Sequence, residues 1–137
     1  MAEETVTSAR PCWGIAPYFI VDDVVATANY YRDTLGFEFV RFWGDPPCFT
    51  IMRRNRAAIM LKQFESLGLM RPNSAADPDG EAWDAYIWID DADALYAEFR
   101  QKGVTIVQPI CDQEYGCREF TIRDCNGYTL GFGQDLL

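Results

Sequence analysis

The residue types that most often perform catalysis or hold metal ions are scarce in this chain. None of its 137 residues is histidine, which removes the commonest general base and the commonest metal ligand. The five cysteines form no C-x-x-C pair, which argues against a disulfide framework and a zinc site. We expect most of them to be small buried residues, and a pair or metal site at Cys111 and Cys117 is left open. Carboxylates such as Asp84 and Glu119 would act as bases only if burial and neighbouring groups shifted their pKa values.

The charge balance favours some partners and disfavours others. Twelve basic and twenty-one acidic residues give a net charge of −9, which repels nucleic acid and anionic membranes and favours a cationic ligand. Residues 1–10 contain Glu3 and Glu4 and no apolar run, so we expect neither a signal peptide nor a membrane anchor and predict a cytoplasmic protein. The aromatic content of 15% exceeds what a core of this size requires.

Hydrophobic periodicity divides the chain into strands and helices. Asp23 precedes a helical pattern that ends at Gly36, as expected of an N-cap and a C-terminal stop. The second half contains a similar pattern that ends at Gly103. The predicted strands are residues 13–21, 37–43, 48–52, 57–64, 85–89, 104–108, 119–123 and 128–132, and the predicted helices are residues 24–35 and 92–102.

The two halves repeat the same order of elements. The strand that ends in Asp22-Asp23 corresponds to the one that ends in Asp90-Asp91, and the two helix stops also correspond. This repetition predicts an α+β fold, in which two tandem βαβββ modules form a curled mixed sheet around a cleft. The boundaries are a flexible tail at 1–11, a first module at 12–64, a connecting loop at 65–82 and a second module at 83–137, all in one domain.

Several motifs together resemble the vicinal-oxygen-chelate superfamily, which includes glyoxalase I, extradiol dioxygenases, fosfomycin-modifying enzymes and bleomycin-resistance proteins. The first is the run from Tyr30 to Phe37, YYRDTLGF; the second is RDCNGY from Arg123 to Tyr128, where a cysteine replaces the family's proline. Within the superfamily, the stretch YGCREF from Tyr115 to Phe120 is most similar to bleomycin-resistance proteins. That resemblance implies a metal-free homodimer that sequesters a cationic drug in clefts between subunits.

The resemblance also locates the positions that hold a divalent metal in the superfamily's enzymes. Counting from the aspartate landmarks places Ala16, Met60, Asp84 and Gly131 at these positions. Only Asp84 could be a ligand, whereas a metal ion needs several oxygen or imidazole donors that converge. We therefore expect no metal and no other cofactor.

Side chains two residues apart on a strand share a face, so the same positions identify the residues that line the cleft. The predicted ligand-binding residues are Tyr18, Met60, Phe64, Asp84, Tyr86, Trp88 and Gly131. The glycine is expected to leave room for a ligand. Such a cleft suits a flat or aromatic and cationic small molecule, although aromatic residues at this spacing also fit ordinary packing, against a dimer partner for example.

Three functions fit these observations. The first is a metal-independent small-molecule-binding protein that acts as a homodimer, with no nucleic-acid or membrane partner. The second is a metal-free isomerase or lyase that uses Asp84 or Glu119 as a base. The third is a structural or regulatory homodimer with a vestigial cleft.

Overall fold

The structure, a computed structural model, describes residues 10–137. The predicted tail at 1–11 therefore lies almost entirely outside the described residues. The strands are β1 (Tyr18–Ile20), β2 (Phe49–Arg54), β3 (Ala57–Lys62), β4 (Ala85–Ile89), β5 (Thr105–Asp112), β6 (Cys117–Arg123) and β7 (Thr129–Asp135), and the helices are α1 (Val24–Asp33) and α2 (Ala92–Gln101). This order of elements confirms the predicted α+β fold class.

The first module forms a mixed three-stranded sheet in the order β1-β3-β2. The prediction of a strand at residues 37–43 is wrong, because this segment pairs with β2 only through two isolated bridges, Glu38 with Arg53 and Trp43 with Phe49. Between the bridges the hydroxyl of Thr50 donates to the carbonyl oxygen of Arg41 at 2.8 Å. A side chain thus satisfies a backbone group that a continuous ladder would have paired.

The second module forms a four-stranded sheet in the order β4-β7-β6-β5. β4 runs parallel to β7, with Tyr86 opposite Gly131 and Trp88 opposite Gly133. β6 pairs with β7 without interruption, whereas the β5–β6 ladder contains register shifts near Gln108. The predicted strand at 85–89 is confirmed residue for residue, and the strand predicted at 104–108 continues to Asp112.

The same local signals begin and end both helices. The carboxylates of Asp23 and Asp91 each accept a hydrogen bond from the backbone N–H three residues later, at 3.0 Å. Gly36 and Gly103 follow the helices with φ of 76° and 75°, a conformation that costs glycine little. The predicted N-cap at Asp23 and both predicted helix stops are confirmed, and the structure adds Asp91 as the N-cap of α2.

One hydrophobic core joins the two modules. The rings of Phe19 and Tyr128 stack with centroids 4.3 Å apart, and the buried hydroxyl of Tyr31 donates to Asp124 at 2.6 Å. Burial raises the pKa of Asp124, although its hydrogen bonds act in the opposite direction. The helix-bearing faces of both sheets therefore pack toward the same interior, and their other faces turn away from it.

The loop between the modules and the cysteines complete the fold. Residues 65–82 contain one 3₁₀ turn, Asn73–Ala76, and the Arg123 guanidinium holds the loop by donating to the Gly80 carbonyl at 2.7 Å. The expectation that most cysteines are buried is wrong, since only Cys117 is buried, and all five are free. No helix among residues 10–137 is long and apolar enough to span a bilayer.

Candidate functional site

Two sheet faces lie opposite the shared core, one on each module. We call them the first and the second open face. The first open face comprises Tyr18, Ile20, Phe49, Ile51, Met60 and Lys62. The second open face comprises Trp83, Tyr86, Trp88, Cys117, Glu119, Thr121, Gly131 and Gly133. The alternation of buried and open residues on β1 confirms the predicted face assignment, since Phe19 is 4% exposed and Tyr18 is 53% exposed.

The first open face is a loose aromatic surface that carries positive charge. Tyr18 lies beside Met60 in the parallel β1–β3 register, and its ring lies 6.3 Å from that of Phe49. The Lys62 ammonium lies 5.3 Å from the centroid of the Phe64 ring. Phe49 was not among the predicted site residues, because the strand predicted at 48–52 carries none of the four metal positions from which the open face was assigned.

The second open face is more tightly built. The Tyr86 ring contacts Trp83 on one side and Trp88 on the other, with centroids 4.6 and 5.0 Å apart. A Cβ added to Gly131 would lie 2.8 Å from Trp83 Nε1, and one added to Gly133 would lie 1.7 Å from the Tyr86 hydroxyl oxygen. The room predicted above Gly131 is therefore filled by these two rings. They form a platform that only glycine beneath them permits.

Glu119 is buried beneath this platform. Its side chain is 1% exposed, and its two carboxylate oxygens accept hydrogen bonds from the hydroxyls of Tyr86 at 2.9 Å and Tyr115 at 2.8 Å. Partial burial and the neighbouring carboxylate raise the pKa of Tyr115 to about 12 and raise that of Tyr86 still further. Both phenols therefore stay protonated at neutral pH, and each donates its proton to a different oxygen of Glu119.

Asp84 holds backbone rather than facing the platform. One carboxylate oxygen accepts from the N–H of Asn73 at 2.7 Å, and the other accepts from the N–H of Thr129 at 2.8 Å. Asp84 thus ties the connecting loop to the start of β7. It lies next to Trp83 in the chain, at the edge of the second open face.

The predicted site residues therefore fall into two groups. Tyr18, Met60 and Phe64 belong to the first module, and Asp84, Tyr86, Trp88 and Gly131 belong to the second. No hydrogen bond or ring contact links the groups within residues 10–137. A cavity of about 550 Å³ lies between the β2–β3 turn and α2, and of the predicted residues only Trp88 lines it.

Glu119 was predicted as a possible base but not as part of the ligand site. Tyr115 was named only as the start of the YGCREF motif, and no role in the site was predicted for it. The alternation on β6 contains the signal, because Phe120 and Ile122 face the core and Glu119 must therefore face the other way. The 2.9 Å hydrogen bond between Tyr86 on β4 and Glu119 on β6 crosses β7, which lies between these two strands in the sheet. Hydrophobic periodicity does not predict this order of strands.

The four positions that the superfamily's enzymes use for a metal do not fit one here. Ala16 and Gly131 have no donor atom in a side chain, and Met60 offers only a soft thioether sulfur. Both oxygens of Asp84 already accept backbone hydrogen bonds. Within the described part of the chain, no three side chains among cysteine, aspartate and glutamate are grouped to hold a metal ion. We therefore derive no chemistry through a metal at these positions.

Comparison with protein families gives a match over nearly the whole of both modules. The family described as the Glyoxalase/Bleomycin resistance protein/Dioxygenase superfamily matches residues 14–132. The chain belongs to this superfamily. Its membership agrees with the repeated module and the shared core. Comparison with functionally curated proteins gave no match.

The solved structures to which this chain is similar include both binding proteins and an enzyme. The bleomycin-binding protein from Streptomyces verticillus, in complex with copper(II)-bleomycin, is 25% identical with a TM-score of 0.65, over 90% of this chain and 97% of that one. The bleomycin resistance determinant of transposon Tn5 is 19% identical with a TM-score of 0.70, over 92% and 100%. Lactoylglutathione lyase from Agrobacterium tumefaciens is 19% identical with a TM-score of 0.66, over 92% and 96%. The two matches at 19% identity show the shared fold only.

Proposed function

We propose that this protein is a metal-independent small-molecule-binding protein of the bleomycin-resistance type, which sequesters an aromatic and cationic ligand. The observation that carries the proposal is the platform of Trp83, Tyr86 and Trp88 over the buried Glu119 carboxylate. Trp88 is 63% exposed although it is large and apolar. Exposed aromatic rings grouped on an open sheet face mark a site for a stacked partner.

Charge supports a cationic ligand. The chain carries a net charge of −9, and the second open face contains a carboxylate that no basic side chain neutralises among the described residues. A cation that stacks on tryptophan or tyrosine gains about 0.5 to 2 kcal/mol from the ring, more when water is excluded. The copper(II)-bleomycin complex of the relative from Streptomyces verticillus is a precedent for a bulky ligand of this kind.

The carboxylates do not favour the enzyme alternative, which stays a prediction. To accept a proton from a ligand, Glu119 would have to give up a tyrosine donor, and Asp84 would have to release a backbone N–H. Each exchange leaves a hydrogen-bonding group unpaired, at about 1 to 3 kcal/mol. Binding requires no such exchange.

We also propose that a second copy of the chain completes the cleft. The two groups of predicted site residues lie on different modules, and within residues 10–137 both β1 and β4 are edge strands that have a neighbouring strand on one side only. Trp13 and Ile15, which precede β1, are 75% and 93% exposed. A symmetric dimer would bring the first open face of one copy against the second open face of the other and would cover these side chains.

Titration calorimetry tests the binding proposal. The panel consists of metal-free bleomycin, copper(II)-bleomycin and smaller cationic aromatic compounds, with anionic aromatic compounds of similar size as controls. We expect saturable binding of at least one cationic member and no binding of the anionic ones. The absence of binding across the panel would refute the proposal.

A mixing experiment tests the shared cleft. Tyr18→Ala and Trp88→Ala each damage one half of every site in a homodimer. After exchange of subunits, about one quarter of the sites combine two intact halves, on statistical grounds for a symmetric dimer. We expect tight binding to return at that fraction of the sites in the mixture. The control is a chain that carries both substitutions, which should show no tight binding. A strictly monomeric protein in solution, or no recovery on mixing, would overturn the shared cleft.

The cytoplasmic location stays a prediction, which fractionation of expressing cells would test.

A further inference from the structure

The hydroxyls of Tyr86 and Tyr115 both donate their protons to the same carboxylate, that of Glu119. Each hydroxyl lies within 2.9 Å of a different oxygen of Glu119. A tyrosine hydroxyl has one proton to donate and two lone pairs that can accept. In both hydrogen bonds the tyrosine hydroxyl is the donor and the Glu119 oxygen is the acceptor.

These protons are held firmly. Glu119 is only 1% exposed, so water does not compete well for its oxygens, and a hydrogen bond inside a protein is electrostatically stronger than one in water. The raised pKa values of both phenols agree with the protons staying in place. The remaining hydrogen-bonding capacity of each phenol oxygen is therefore its lone pairs.

We propose that Glu119 sets the hydrogen-bond polarity of the ligand site, because by taking both tyrosine protons it leaves the phenol oxygens as acceptors only. The site then selects aromatic ligands that present an N–H donor to Tyr86 or Tyr115, such as amines, amidines and ring N–H groups. Ligands that present a carbonyl, carboxylate or ring-nitrogen acceptor at the same place are rejected. This inference rests on the proposed binding function and names the ligand class for it.

The proposal differs from simple attraction of a cation by a negative charge. Charge alone would not distinguish two neutral ligands, whereas hydrogen-bond polarity would. Indole and quinoline are suitable probes, because both are flat bicyclic molecules that are neutral at mildly alkaline pH. Indole offers a ring N–H donor, and quinoline offers a ring-nitrogen acceptor.

The test is an NMR titration of the full chain with indole and with quinoline. We expect the wild type to bind indole about tenfold more tightly than quinoline, the factor that corresponds to one hydrogen bond gained against one unmade. In Glu119→Gln the new amide nitrogen donates to one tyrosine oxygen, so that this hydroxyl turns its proton outward. We expect the preference for indole to fall to about twofold or less, since one donor and one acceptor then face the ligand.

Tyr115→Phe is a second variant that keeps the charge of Glu119. Tyr115 is 56% exposed, so its loss is tolerated more easily than a change at the buried carboxylate. We expect weaker binding of indole and unchanged binding of quinoline. An indole preference that is the same in Glu119→Gln, or that survives when Tyr115→Phe is combined with Tyr86→Phe, would overturn the inference, and so would a wild type without the preference.

A parallel titration with copper(II)-bleomycin separates this inference from the proposed function. If the wild type binds copper(II)-bleomycin but shows no preference between the two probes, the inference fails and the binding function stands. If it binds neither copper(II)-bleomycin nor either probe, both fail.

Discussion

Gly133→Ala is the most informative single change, because it acts on the aromatic platform from below. An ideal Cβ at this position lies 1.7 Å from the Tyr86 hydroxyl oxygen, 2.5 Å from its Cζ and 2.8 Å from its Cε1. The ring has little freedom to yield, since Trp83 and Trp88 contact it on either side. We therefore expect the Tyr86 side chain to leave its place and to lose its 2.9 Å hydrogen bond to Glu119.

The expected cost follows from these contacts. A hydrogen bond to a charged group contributes about 1.5 to 3 kcal/mol, and forcing a methyl group into a packed region costs about 1 to 3 kcal/mol. Replacing glycine by alanine within a strand returns about 0.4 to 1 kcal/mol by restricting the unfolded chain. The free energy of unfolding should therefore fall by about 1.5 to 5.5 kcal/mol.

Urea unfolding followed by far-UV circular dichroism and tryptophan fluorescence measures this change. Gly14→Ala is the control, because a Cβ there meets no atom within 4 Å, and its effect should stay within about 0.5 kcal/mol. Tyr86→Ala combined with Gly133→Ala should cost less than the two single changes added together, since the clash needs the ring. A Gly133→Ala variant as stable as the wild type would refute the packing of Tyr86 over Gly133.

Two further predictions concern the loop and the junction of the modules. Asp84→Ala should lower the free energy of unfolding by about 1 to 3 kcal/mol, because two backbone N–H groups lose their acceptor. A glutamate-specific protease should also cleave the loosened loop after the exposed Glu81 several times faster. The hydrogen bond from Arg54, together with its charge, holds the pKa of Glu98 below its usual value, so the stabilisation is present at neutral pH and is lost as the pH falls through that lowered pKa. Glu98→Gln should lower the free energy of unfolding by about 0.5 to 1 kcal/mol at neutral pH, a small value for a partly exposed ion pair, and should have no effect in acid. Urea unfolding at both pH values measures the difference. An equal loss at both would contradict a stabilising ion pair between Arg54 and Glu98.

Local signals explain why most of the fold could be predicted from the sequence. The capping carboxylates Asp23 and Asp91 and the glycines Gly36 and Gly103 mark helix ends through contacts within a few residues. Because these signals occur twice, the repeat and its fold class follow. The prediction of a strand at 37–43 failed because this segment has the composition of a strand, whereas the number of ladder hydrogen bonds that it makes depends on how β2 lies beside it.

The site was harder to predict than the fold. Alternation correctly assigned Tyr18, Tyr86 and Trp88 to open faces, because that information is local to each strand. It could not show that Gly131 lies beneath a ring instead of beside an empty space. It also could not show that β4 and β6 approach closely enough for Tyr86 to reach Glu119. These are contacts between strands, and they depend on sheet order.

Calorimetric titration of wild type, Trp88→Phe and Trp88→Ala with copper(II)-bleomycin tests most directly whether the second open face binds a stacked cationic ligand. We expect the wild type to bind, Trp88→Phe to retain most of the affinity, and Trp88→Ala to lose about 1 to 3 kcal/mol, the usual cost of removing a desolvated aromatic anchor. Binding of copper(II)-bleomycin with the same affinity by Trp88→Ala and the wild type would contradict the account.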